Sequence, residues 1–144
     1  MPSNAVAISP SQEKKRIYLE TLGCAKNRVD SEIMLASLQT HGYELTLKPE
    51  VAEVIIVNTC AFLTEASEES INRILDLSDF KSKGNCEKLV ATGCLTQRYQ
   101  DSLAKQIPEL DGLLGSNGFE RIPELVHTMY EDSGQSQLNL QQKP

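Results

Sequence analysis

A chain of 144 residues, 40% hydrophobic and 24% charged, has the size and balance of one globular domain around a single core. Apolar runs such as Val54 to Val57 are far too short to cross a bilayer, and no basic start leads into an apolar signal region. That argues against the membrane and the secretory route and makes the cytoplasm the expected location. The formal net charge of −6 repels a polyanion, so direct nucleic-acid binding by this domain is not expected.

Residues 1–15 are polar, contain Pro2 and Pro10 and lack an arginine-rich amphipathic pattern, so they read as a disordered leader. Arg16 to Leu22 is β-rich and ends in Gly23-Cys24, a first strand. Asn27 can cap a helix in which Val29, Ile33, Ala36 and Thr40 recur at helical spacing until Gly42 stops it. Tyr43 to Leu47 reads as a short second strand. The β-branched run Val54-Ile55-Ile56-Val57 has the signature of a central parallel strand buried on both faces, and it ends at Asn58-Thr59-Cys60.

Thr64 can cap the next helix, with Ser67, Ile71, Ile74, Leu75 and Ser78 on one side and Glu65, Glu68, Glu69 and Asp76 toward water. A loop from Lys81 to Asn85 precedes the strand Lys88 to Thr92, which runs into Gly93-Cys94. Tyr99, Leu103, Ala104 and Ile107 mark a third helix closed by Pro108, and Gly112 to Leu114 is the last strand. Pro123 lies in the first turn of a final helix that carries Ile122, Leu125, Val126 and Met129 on one face. The domain proper is thus residues 16–130, and the polar, Gln- and Ser-rich stretch 131–144 reads as a linker.

Strands alternating with helices predict a three-layer α/β sandwich, flavodoxin-like or Rossmann-like, with about five parallel strands in the order 2-1-3-4-5. In that order the strands leading to Cys24, Cys60 and Cys94 are neighbours, about 4.8 Å apart, so their loops can converge at the edge where such sheets bind ligands. Cys86 precedes the fourth strand, on the opposite edge and about 16 Å from Cys94, and is excluded as a partner. Gly23 and Gly93 either let the backbone approach a bulky group or simply make tight strand-to-helix turns. Three converging thiols can mean zinc, an iron-sulfur cluster or three separate buried thiols. Zinc is disfavoured, because there is no compact Cys-x-x-Cys pair and neither His41 nor His127 falls on the cysteine edge.

The segments LETLGCAKNRVDSE (19–32), VIIVNTCAFLTEASEESI (54–71) and VATGCLTQRY (90–99) resemble the methylthiotransferase family of radical-SAM enzymes, in family order over residues 16–127. The resemblance implies that Cys24, Cys60 and Cys94 hold an auxiliary 4Fe-4S cluster, leaving one iron open to carry a sulfur methylated by S-adenosylmethionine. It also implies a radical-SAM domain with a second 4Fe-4S cluster and its own S-adenosylmethionine. The Cys triplet of that domain is absent from these 144 residues, so this stretch by itself is expected to be inactive.

Lys26 and Phe62 favour the branch that methylthiolates the β-carbon of an aspartate in a small-subunit ribosomal protein. The alternative within the family is the tRNA-adenosine branch. The alternative outside it is a non-enzymatic flavodoxin-like thiol or interaction module; a flavin site of that fold wants a Ser/Thr/Gly-rich loop where this chain has Gly23-Cys24-Ala25-Lys26-Asn27. Asn27 and Asn58 read as turn-stabilising, Asp30 and Glu32 as capping or solvated, and Lys26 and Arg28 as exposed cations.

Overall fold

The structure, a computed structural model, describes residues 15–22, 25–59, 64–93, 103, 105–115, 121–131 and 138–139, with the backbone alone at 25–27, 64–67, 130–131 and 138–139. Of the leader expected at 1–15, residues 1–14 lie outside them, while Lys15 is described and pairs with Glu87. Strands β1 (Arg16–Thr21), β2 (Glu44–Leu45), β3 (Val54–Thr59), β4 (Lys88–Gly93), β5 (Gly112–Gly115) and β6 (Leu138–Asn139) form one sheet in the order β2-β1-β3-β4-β5-β6. Every pairing is parallel. The first five strands stand in the order expected from the sequence, and β6 adds a two-residue edge within the stretch read as a linker.

Side-chain alternation sorts the strand residues onto two faces. Ile55, Val57, Leu89, Ala91 and Leu113 pack with Ile74 and Leu77 of helix α2 (Thr64–Ser78) and with Leu103 and Ile107. Ile17, Val54, Ile56, Val90 and Leu114 pack on the other side with Met34 and Leu38 of α1 (Ala25–Thr40). Ile122, Leu125, Val126 and Met129 of the last helix join that second cluster, the face read from their spacing. Because it is covered on both faces, β3 is buried along its whole length, the reason its sequence runs apolar without alternation.

Four local expectations need correcting. Helix α1 begins at Ala25, and it does not bury the stripe that marked it: Val29 is 54% and Ile33 49% exposed, while Asp30, Ser31, Met34 and Leu38 turn inward. The longer Met34 and Leu38 reach the sheet, and Ser31 meets polar strand ends that a valine there would leave unpaired. Strand β2 is only two residues long, because Tyr43 turns into the core, Leu47 is 93% exposed and the chain then enters a 3-10 turn at Pro49–Val51. Among the described side chains of α2 the buried positions are Ser70, Ile74 and Leu77, Leu75 is exposed, and Ser67 lies outside the described side chains. The expected loop after α2 contains a one-turn helix, α3, at Phe80–Lys83. Most of the helix expected around Tyr99 to Ile107 lies outside the described residues.

Candidate metal centre

Strands β1, β3 and β4 end level with one another. Thr21 is paired in register with Asn58 and Asn58 with Thr92, and one step on Thr59 faces Gly93. The Leu22 amide extends the first of these ladders by donating to the Asn58 carbonyl at 3.0 Å. Cys60 follows Thr59 directly in the sequence, Cys94 follows Gly93, and Cys24 comes three residues after Thr21. All three cysteines lie outside the described residues, as do Gly23 and Phe62, and Lys26 and Asn27 are described by backbone only. What the structure describes is the floor formed by the strand ends that precede them in the sequence.

That floor is polar where the rest of the sheet is oily. Ser31, in the second turn of α1, lies with its hydroxyl 2.6 Å from that of Thr21 and accepts a hydrogen bond from Asn58 Nδ2 at 3.1 Å. Thr59 points to the other face and donates from Oγ1 to the Thr92 carbonyl at 2.7 Å. Ser31, Asn58, Thr59 and Thr92 are all buried. A buried polar group costs free energy unless it is bonded, so each partner here offsets a desolvation penalty. The Thr92 hydroxyl has no hydrogen-bond partner among the described residues. Asn58, read from the sequence as a turn stabiliser, instead uses its side-chain amide to tie β3 to α1.

The φ of Gly93 is +102°, and a β-carbon there would lie 2.5 Å from the Thr59 carbonyl oxygen and 2.6 Å from Asn58 Oδ1. The residue is glycine because its backbone is left-handed and lies against the neighbouring strand, whatever the chain does next.

On the opposite face of β1, Glu20 accepts from Arg73 of α2 through both oxygens, at 2.6 and 2.7 Å, and from the Tyr18 hydroxyl at 2.6 Å. Burial alone would raise the Glu20 carboxyl, but the hydrogen bonds from Arg73 and Tyr18 and the guanidinium charge outweigh it and hold the group below its ordinary value. Burial, with the bond to Glu20, pushes the Tyr18 phenol up to about 12. The sequence reading missed this cluster. Its signal was a glutamate at an inward position of a strand, which demands a cation on the covering helix.

The remaining candidates fall elsewhere. Cys86 is buried just before β4, at the strand-start edge, where its Sγ donates to the Lys88 carbonyl at 3.3 Å and burial pushes the thiol up to about 11. His41 closes α1 with Nδ1 2.8 Å from the Ser37 carbonyl. Arg28 and Glu32 are exposed, whereas Asp30 is buried, which removes the solvated half of its capping-or-solvated reading. Among the described residues, no group of three or more His, Cys, Asp or Glu side chains could hold a metal ion. No described helix is long and apolar enough to cross a membrane.

Residues 16–115 match the family model described as "Uncharacterized protein family UPF0004". The chain is 52% identical over 113 residues to a protein of Trichlorobacter lovleyi named ribosomal protein uS12 methylthiotransferase RimO, covering 78% of this chain and 25% of that one. A protein of the same name from Anaeromyxobacter sp. is 50% identical over 111 residues, covering 77% and 24%. Another, from Clostridium perfringens, is 52% identical over 113 residues, covering 78% and 25%. The chain therefore spans about a quarter of the length of the curated relatives it matches.

Proposed function

The chain belongs to the UPF0004 family, and on that premise we propose that it is the cluster-binding N-terminal part of a radical-SAM enzyme that methylthiolates an aspartate β-carbon of ribosomal protein uS12. The observation that carries the reading is the level ending of β1, β3 and β4, the strands that run into Cys24, Cys60 and Cys94. Neighbouring parallel strands lie about 4.8 Å apart, a spacing on which three thiolates can share one compact inorganic group. The donor set fits an iron-sulfur cluster, whose usual ligands are cysteine thiolates. Gly93 and the bond from Thr59 to the Thr92 carbonyl support the same reading, because they fix β3 and β4 at the point where two of the cysteine loops depart.

In this reading Cys24, Cys60 and Cys94 hold a 4Fe-4S cluster, and Ser31, Asn58 and Thr59 hold the strand ends from which their loops leave. When bound, the cluster supplies an iron without a protein ligand, where the sulfur to be transferred can be presented. Hydrogen abstraction from the substrate and use of S-adenosylmethionine belong to the radical-SAM portion, outside these residues. The names of the relatives support uS12 as the substrate class, and the acidic charge of the chain suits a basic protein partner better than RNA.

The test joins this chain to the rest of its enzyme and supplies reductant, S-adenosylmethionine and purified uS12. A gain in mass of one methylthio group on a uS12 aspartate is expected. Modified tRNA adenosine with uS12 untouched would move the enzyme to the other branch. Failure of the chain to take up iron and sulfide anaerobically would leave only a thiol or interaction module.

A further inference from the structure

Thr92 is the odd member of the floor. Thr21 and Asn58 share Ser31 and Thr59 has the Thr92 carbonyl, but the Thr92 hydroxyl is fully buried and has no described partner. Such a group is costly against an apolar residue of the same shape, and buried orphans in native proteins have reasons. Valine is that residue, and it already occupies Val90 two positions earlier on the same face of β4. Packing and strand propensity would both accept valine at 92. The hydroxyl is therefore not explained by the fold of the described residues. It lies two residues before Cys94, level with Asn58, which lies two before Cys60.

We propose that the Thr92 hydroxyl is a hydrogen-bond donor to sulfur, either cluster sulfide or ligating thiolate, and that it raises the reduction potential of the cluster held at this edge. The inference rests on the functional reading above. Hydrogen bonds to the sulfurs are among the factors that set the potential of an iron-sulfur centre, because they stabilise the extra electron of the reduced form. A hydroxyl without a partner among the described residues can supply one.

The experiment compares this chain with its Thr92→Val and Thr92→Ser variants, each examined metal-free and after anaerobic reconstitution. Two readouts are taken: the denaturant midpoint of the metal-free protein and the midpoint potential of the reconstituted cluster. The inference expects metal-free Thr92→Val to be at least as stable as the parent, since it loses an unpaired buried hydroxyl. It also expects the reconstituted variant's potential to move negative, with Thr92→Ser staying near the parent. A hydroxyl serving only the fold gives the reverse pattern, a less stable metal-free variant and an unmoved potential, and either half of that result overturns the inference. If the parent chain itself takes up no cluster, the functional reading falls and this inference with it; a normal cluster with an unmoved potential sinks this inference alone.

Discussion

The two edges of the sheet are built from different chemistry. Where the strands start, carboxylates clamp backbone and cations together: Glu53 accepts from the Arg16 amide at 2.7 Å and from its guanidinium at 3.1 Å. Asp111 does the same for the Leu89 amide at 2.8 Å and Lys81 at 2.6 Å, and Glu87 pairs with Lys15 at 2.9 Å. Where the strands end, beyond the Glu20–Arg73 pair, the partners among the described residues are neutral: two hydroxyls around Asn58, a hydroxyl on a carbonyl and one buried hydroxyl still to be matched. The start edge is completed by the chain itself, and its cysteine, Cys86, is a buried thiol in that finished structure. The end edge carries buried polarity beyond what the described strands use.

Substitutions can break or sharpen this contrast. The largest effect is expected from Gly93→Ala, which combines a positive φ with a β-carbon inside contact distance of Thr59 and Asn58. We expect a loss of about 3 kcal/mol or more in denaturant unfolding, together with poor cluster uptake. A cost under about 1 kcal/mol would mean that the strand end relaxes freely. Next comes Asp111→Ala at the opposite edge, which strands the Leu89 amide and leaves Lys81 with the Glu109 carbonyl alone. It should cost about 2–3 kcal/mol while iron and sulfide uptake by the surviving folded protein stays at the parent level. Loss of uptake there would couple two edges that the contrast keeps apart.

A smaller effect belongs to Glu20. Its carboxyl is held below the ordinary 4.5, so the stability it contributes is fully present above that pH and is lost as pH falls through the lower folded value. Glu20→Gln should cost about 1 kcal/mol at neutral pH, since the pair with Arg73 is partly exposed, and the gap to the parent should close on acidification. A gap independent of pH would mean that the pair contributes through packing alone. The smallest effect is expected at Cys86. With its thiol near 11, roughly one part in a thousand is thiolate at pH 8, so alkylation of the folded chain there should be slow and should accelerate on unfolding. Fast labelling of Cys86 in the native protein would remove it from the core.

Much of this architecture was legible in the sequence because it follows from patterns one element long. The β-branched run of β3 announced a central strand, and Ile122, Leu125, Val126 and Met129 announced a buried helix face. The strand order then followed from parallel connectivity and put the three cysteines at one edge. What was not legible depends on contacts between elements. Val29 and Ile33 have the spacing of a core face, yet α1 is turned by Met34, Leu38 and the demand of Asn58 for Ser31. Glu20 acquired a role only when Arg73, 53 positions away, came to lie against it. The floor of Ser31, Asn58 and Thr92 was invisible for the same reason, since each residue alone reads as a turn or strand former.

The central claim is that this edge gathers three of the four cysteines around one cluster, and the most direct measurement is iron and acid-labile sulfide per chain after anaerobic reconstitution of single serine variants. The account predicts about four irons and four sulfides in the parent and in Cys86→Ser, and loss of most of both in Cys24→Ser, Cys60→Ser and Cys94→Ser. A cluster that survives loss of any of those three, or that disappears with Cys86, would contradict it.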